Sequence, residues 1–347
     1  MKSFLGVNYY LSPADGDDSI FDVEHSTNQC SPFLHRFKTW VERRYNVDVH
    51  TPDVIDWSLE EAKAVLYFDY SWRYSMNDSF IASIPFKKRA LMMIEPANVN
   101  PSLYYIPFYR NKFSKVFTWD RRLLNRYPDY FPVNVPVGAE PSMYRHVEQR
   151  IPFSQKKLLV AVSRNRWSYM ANSTYGIRTK AYSFFDRHIP DDFDLFGYGW
   201  NEPSSRLQKF FGYPRFKCYR GPIPGDHWNG KVAKMAGYKF ALCYENNASQ
   251  PGYISEKILD CFCARCVPIY YGSDGIEDMI PSSCWINAKD FPSLEMILSF
   301  ITSMKEQEYN AILESIERFL NSDACDFFST EHYFTSLAEG LGLERRA

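Results

Sequence analysis

The chain has 347 residues, ample for two domain-sized cores. With 45% hydrophobic and 23% charged residues it is not a disordered chain. Its 40 Lys and Arg against 41 Asp and Glu give a net charge of -1, which excludes the overall basic excess of a nucleic-acid binder and requires any anion site to be local.

Phe4 to Tyr10 reads as a first strand, followed by a loop rich in Asp, Gly and Ser. Phe33, Leu34, Phe37, Trp40 and Val41 then recur at helical spacing, with Pro32 at the helix start. Val47 to His50, Ala64 to Tyr70 and Ala90 to Ile94 read as further strands, continued by Val116 to Trp119 and Val133 to Val137. This is a βαβ rhythm, which implies a mostly parallel sheet with helices on both faces. A Pro-rich passage from Pro128 to Pro152 interrupts it, placing a domain boundary near residue 150. The rhythm restarts with strands at Leu158 to Ser163 and Asp194 to Gly197. Helices are expected at Ile177 to His188 and Lys231 to Ala236, and Cys284 to Ile286 closes the sheet. Helical patterns fill Leu294 to about Leu341, of which Phe327 to Leu341 is the candidate to return to the first domain.

The stretch from Lys239 to Gly272 is the most informative. An apolar run, Phe240 to Tyr244, breaks into a polar segment, and Ile254 to Cys266 resumes at helical spacing before a second apolar run, Val267 to Tyr271. Ser255 occupies the N-cap position, so Glu256 and Lys257 fall in the first turn, beside N–H groups that attract anions. A strand, a polar loop and a helix N-terminus in an α/β pattern commonly hold a phosphorylated ligand, although an ordinary solvated first turn would look the same.

Tyr238-Lys239-Phe240 with F-A-L-C-Y-E-N-N, then Y-I-S-E-K, then V-P-I-Y-Y-G, resembles the signature of the α-1,3-fucosyltransferases, glycosyltransferase family 10. Tyr244 stands for a Phe, Asn247 for a Ser and Ser255 for a Thr, the last keeping the capping hydroxyl. The resemblance implies a soluble, bacterial-type member with the GT-B fold, two doubly wound Rossmann-like domains facing a central cleft. Residues 1–150 would then bind the acceptor, 151–325 the nucleotide-sugar donor, and 326–347 would form the returning C-terminal helix.

Transfer of a sugar from a nucleotide requires stabilising a departing diphosphate and taking a proton from the acceptor hydroxyl. Lys257 is one candidate cation. The family's Arg opening a helix, with a Tyr four residues on, is matched by Arg178 and Tyr182, with Arg166, which follows Arg164 and Asn165, as the rival to Arg178. The resemblance gives the base as Glu95, just after the Leu91 to Ile94 strand and before Pro96, with Asp69 as the next candidate. It also places Glu256 on the donor's sugar portion and Tyr253 in the nucleotide site, with Glu245 and Asn246 bracing the loop. Asp15-Gly16-Asp17 and Asp192-Phe193-Asp194 have the letters of a metal-binding D-x-D but read as solvated loops. Cys261, Cys263 and Cys266 read as reduced packing residues.

The expectation is therefore an inverting enzyme moving L-fucose from GDP-β-L-fucose to O3 or O4 of a GlcNAc-type residue in a surface glycan such as lipopolysaccharide. No metal or cofactor is required, and a divalent cation would at most stimulate. The alternatives are the same scaffold with another nucleotide sugar, or a non-catalytic glycan-binding protein. The partners are the donor and an oligosaccharide or glycolipid acceptor, selected by loops at Asp15 to Gln29 and Ser71 to Lys88; no nucleic acid is expected. The first residues carry too short an apolar run for a signal peptide and nothing approaches the ~20 apolar residues of a membrane span, so a cytoplasmic monomer or weak dimer with at most peripheral contact at the inner membrane face is expected.

Overall fold

The computed structural model describes residues 2–9, 16–25, 30–70, 80–105, 109–134, 150–170, 172–203, 206–213, 215–225 and 227–346. The chain divides into two units, Met1–Gly138 with Thr330–Ala347, and Ala139–Ser329.

The first unit holds strands β1 (Ser3–Tyr9), β2 (Val47–His50), β3 (Ala62–Phe68), β4 (Arg89–Met93), β5 (Lys115–Thr118) and β6 (Phe131–Pro132). They form one sheet in the order β2-β1-β3-β4-β5-β6, every pair parallel. Strands buried on both faces need continuous apolar runs, which is why Val65 to Phe68 and Ala90 to Met93 are buried without alternation. Helix α1 (Ser31–Arg44) starts with Pro32 in its first turn and buries Leu34, Phe37 and Val41. The C-terminal helix Thr330–Leu341 packs on it. Phe334 meets the rings of Phe33, Phe37 and Trp40 at centroid distances of 5.6, 5.0 and 5.5 Å, and Phe68 of β3 meets Phe33 and Phe37 at 5.7 Å. Gly340 lets the same helix lie close to β5, since a Cβ there would fall 2.4 Å from the Phe117 ring. Lys115 Nζ donates to the carbonyls of Gly340 (2.8 Å) and Leu341 (3.1 Å), holding the helix C-terminus. The other sheet face is packed by Trp57, Tyr67, Leu91, Met93, Tyr109 and Phe113.

The second unit is a five-stranded parallel sheet in the order β11-β10-β9-β7-β8. Its strands are β7 (Lys157–Val162), β8 (Phe193–Phe196), β9 (Tyr238–Tyr244), β10 (Val267–Tyr271) and β11 (Ile286–Asn287). Its principal helices, following α2 (Arg121–Arg126) of the first unit, are α3 (Tyr175–His188), α4 (Arg206–Phe211), α5 (Glu256–Cys263), α6 (Leu294–Ser303) and α7 (Glu306–Leu320). The strand order reverses between β7 and β9, and the C-terminal edge at such a reversal is where an open α/β sheet binds ligands.

Four expectations change. The strand expected over residues 133–137 is the short β6 at Phe131–Pro132; Val133 and Asn134 lie outside it and 135–137 fall outside the described residues. The chain turns once at Ser282–Cys284 before β11, displacing that strand toward Asn287. The helix expected from Lys231 begins earlier, as a π-helical turn at His227–Val232 followed by Ala233–Met235. Asp194, expected both to open a strand and to be solvated, lies in β8 as expected but is buried there.

Asp194 is tolerated there because Lys157 (2.8 Å), Arg220 (2.7 Å) and the Tyr238 hydroxyl (2.7 Å) all donate to its carboxylate. Burial works to raise its pKa, and hydrogen bonds from Lys157, Tyr238 and Arg220 outweigh it, so the carboxyl sits below its usual value. A lowered folded pKa contributes stability that is present above the unfolded value of about 3.9 and is lost as pH falls through the folded one. Asp194→Asn is therefore expected to melt below wild type at pH 7, with the gap narrowing below about pH 4. Melting curves from pH 7 to 3 check this, and a gap that stays constant would refute the ion cluster.

Candidate active site

The site lies at the C-terminal edge of the second sheet, on either side of the strand reversal. A cavity of about 340 Å³ is lined by the ends of β7 (Val162, Ser163) and β8 (Gly197, Tyr198), by Asn246 after β9, and by Glu256 and Lys257 of α5. Arg164, Arg166, Arg178, Ile223 and Lys231 complete it, so five cations face one carboxylate, that of Glu256. Such a lining attracts an anion with more than one negative charge. Gly197 makes the floor possible: its φ is +128°, and a Cβ would fall 1.9 Å from the Ser163 carbonyl oxygen.

The wall is a hydrogen-bonded lattice between α3 and the loop after β9. Arg178, 3% exposed, donates through one terminal nitrogen to the Tyr244 carbonyl (2.5 Å) and Asn246 Oδ1 (2.8 Å), with its guanidinium 5.3 Å from the Tyr175 ring centroid. Its buried Nε has no partner among the described residues. Asn246 Nδ2 donates to the Tyr253 hydroxyl at 3.2 Å. The Thr174 hydroxyl donates to the Glu245 carbonyl, which ties the start of α3 to the same loop. At the next turn of α3, the Tyr182 hydroxyl lies 3.1 Å from Ser163 Oγ.

Glu245 is fully buried, and its carboxylate accepts from the Ser255 N–H (2.8 Å), the Ser255 hydroxyl (2.7 Å) and Lys257 Nζ (3.2 Å). This corrects the expected cap. Ser255 has extended N-cap geometry, but its hydroxyl turns to Glu245 and makes no side-chain cap on α5. The buried carboxylate needs donors more than the helix does, because its desolvation cost exceeds that of solvated N–H groups. The first turn of α5 thus presents N–H groups and Lys257 without a capping side chain. Burial works to lower the Lys257 pKa, but the charges of Glu245 and Glu256 outweigh it and hold the ammonium above its usual value.

Of the residues expected to bind the donor, the structure gathers Arg166, Arg178, Asn246, Glu256 and Lys257 around this cavity. Glu245 and Tyr253 are buried and are not among its lining residues; they hold Lys257 and Asn246 in place. Sequence reasoning missed Lys231. It rides on the π-helical turn, a feature that recurs at functional sites, and pairs with buried Asp260 at 2.5 Å. Burial works against its charge, and Asp260 and Glu256 outweigh burial. The only sequence signal was a Lys in an apparently ordinary helix, and the partner that gives it meaning is 29 positions away.

The three clustered cysteines are buried. Burial raises the thiol of Cys266 to about 12, and those of Cys261 and Cys263 well above the ordinary value, so they stay protonated at neutral pH. Among the described residues no group of three His, Cys, Asp or Glu side chains is arranged to hold a metal ion, and no helix is long and apolar enough to cross a membrane.

Glu95 lies in the first unit, half-buried, two residues beyond the end of β4. Its alternative, Asp69, is 3% exposed just beyond β3, and its carboxylate accepts from the backbone N–H groups of Ile94 and Glu95. Of the loops expected to select the acceptor, residues 15, 26–29 and 71–79 fall outside the described residues.

Residues 216–314 match the model of the glycosyltransferase family 10 (fucosyltransferase) C-terminal domain, a span that contains Lys231, Asn246, Glu256 and Lys257. The chain is 24% identical over 290 residues to the α-(1,3)-fucosyltransferase FucT of Helicobacter pylori; the match covers 75% of this chain and 58% of that relative's length. Among solved structures, an α1,3-fucosyltransferase with GDP-fucose superposes with a TM-score of 0.54 at 17% identity, covering 98% of this chain and 90% of that one. A DNA-modifying β-glucosyltransferase, solved with and without uridine diphosphoglucose, superposes with a TM-score of 0.61 at 10% identity, covering 98% and 100%. The fold of two parallel-sheet α/β domains is thus shared with GT-B glycosyltransferases.

Proposed function

We propose that this chain, whose second unit carries the C-terminal domain of glycosyltransferase family 10, is a fucosyltransferase that moves L-fucose from GDP-β-L-fucose to O3 or O4 of a GlcNAc-type residue. The observation that carries the reading is the cavity at the strand reversal. It sets the uncapped first turn of α5, Lys257, Asn246 and Lys231, all within the family-matched span, beside Arg178, which precedes that span.

In this reading the acceptor oxygen forms its bond to the anomeric carbon as the bond from that carbon to the β-phosphate oxygen breaks. The electron pair departs on GDP, and β becomes α by attack from the face opposite the leaving group. Glu95 takes the acceptor proton. Arg178, Lys257, Arg166 and the α5 N–H groups meet the charge growing on the diphosphate, where fixed donors in a water-poor site are most effective. Glu256, in the same turn, accepts hydrogen bonds from the hydroxyls of the donor sugar in this reading. The acceptor is an oligosaccharide or glycolipid glycan, and any membrane contact is peripheral.

The test is incubation with GDP-fucose and a panel of β-galactosyl-GlcNAc acceptors, with products identified by mass spectrometry. Fucosylated product, or slow release of free fucose without acceptor, is the expected result, and the absence of both would refute the reading. A second reading is the same scaffold with another sugar nucleotide, since a β-glucosyltransferase solved with uridine diphosphoglucose shares the fold. Thermal shifts across GDP- and UDP-sugars separate them, because preferential stabilisation by a UDP-sugar would sink the first.

A further inference from the structure

We propose that Asp69 is a positioning residue that sets the backbone carrying Glu95, an inference that rests on the reading of Glu95 as the base. The sheet ladder of β4 ends at Met93, so the polar groups of Ile94 and Glu95 must find partners elsewhere. Side chains supply all four. The Ile94 N–H donates to Asp69 Oδ1 at 2.6 Å, and the Glu95 N–H lies 3.2 and 3.3 Å from the two oxygens of the same carboxylate. The Ile94 carbonyl accepts from Trp119 Nε1 at 2.9 Å, and the Glu95 carbonyl from the Tyr104 hydroxyl at 3.2 Å. Pro96 follows and has no N–H to place.

Asp69 is itself held against the same strand, its N–H donating to the Met92 carbonyl at 2.8 Å. It has φ +59°, a left-handed conformation that L-residues other than Asn and Asp rarely adopt, and it is 3% exposed. A buried carboxylate in this sparsely populated backbone conformation persists only because its surroundings hold it there. Here two adjacent N–H groups point at one acceptor. A carboxylate satisfies both, whereas an amide offers one oxygen and turns its NH₂ toward the other donor. The same contacts argue against Asp69 as the base, since its oxygens already accept from N–H groups.

The device matters because an error of about 1 Å in a catalytic group can cost about 10²-fold in rate. Asp69→Asn keeps the size and tolerates the positive φ, while Asp69→Gly removes the clamp and suits that φ better still. Each is compared with wild type, alone and combined with Glu95→Gln, by turnover with GDP-fucose and acceptor, by calorimetric GDP affinity and by melting temperature. The expected result is a fall in kcat of about 10- to 100-fold with GDP affinity unchanged, and no further fall when either change is added to Glu95→Gln. If Asp69→Asn does not fold, Asp69→Gly carries the test alone. Wild-type kcat in a folded Asp69 variant, with Glu95→Gln inactive, overturns the positioning role and leaves the base intact. A loss that adds fully to that of Glu95→Gln overturns it too. Full turnover in Glu95→Gln itself refutes the base and this inference with it.

Discussion

Arg178→Ala is expected to slow fucosyl transfer by roughly 10²- to 10³-fold, the usual loss when one preorganised donor to a developing charge is removed. The structure separates this residue from its rival by what else each holds. Arg178 is buried and also joins the end of β9 to Asn246, so its removal is expected to lower both GDP affinity and melting temperature. Arg166 is exposed, and Arg166→Ala is expected to weaken GDP binding with little change in melting. Lys257→Ala carries a confounding effect that the structure exposes. It strips a cation from the fully buried Glu245, and breaking such a pair costs about 3–5 kcal/mol of stability. Lys257→Met with Glu245→Gln removes the charge without stranding the carboxylate, so kinetic loss in that double variant belongs to the phosphate contact. Calorimetry, melting and single-turnover transfer on the same samples decide the case. Near wild-type transfer in Arg178→Ala with loss in Arg166→Ala would reverse the assignment of the two arginines.

The strands were readable because a parallel sheet covered on both faces demands uninterrupted apolar runs, and Ala90 to Met93 and Val267 to Tyr271 supply them. The polar loop and helix after β9 were readable for the same local reason, and the motif resemblance added residue identities that spacing could not. Contacts between distant positions were not readable. Ser255 has the right residue type and backbone for a cap, yet Glu245, ten positions earlier, takes its hydroxyl. Asp194 looked solvated because Lys157 and Arg220 lie far from it in sequence. Lys231 needed both a π-helical turn and Asp260 to become part of the cavity wall. In each case a buried charge chose its partner by fold, and hydrophobic periodicity carries no record of that choice.

Glu95→Gln is expected to lower turnover by about 10²- to 10⁴-fold while leaving GDP-fucose affinity intact, because the amide keeps the side chain's shape but cannot take the acceptor proton. Two structural facts sharpen this expectation. The cavity at the strand reversal is lined by residues of the second unit, so a change at Glu95 in the first unit removes none of its cations. The backbone at Glu95 is held through its own N–H and C=O, by Asp69 and Tyr104, and these bonds do not involve the side chain being changed. The backbone clamp is therefore kept in the variant, and a melting temperature measured beside wild type lets lost turnover report chemistry. A paired measurement decides it: calorimetric GDP-fucose affinity and transfer rate on one preparation. Lost affinity would mean that Glu95 supports donor binding, and retained turnover would move the base to another carboxylate. Asp69 would then be a poor replacement, because its oxygens already accept the N–H groups of Ile94 and Glu95.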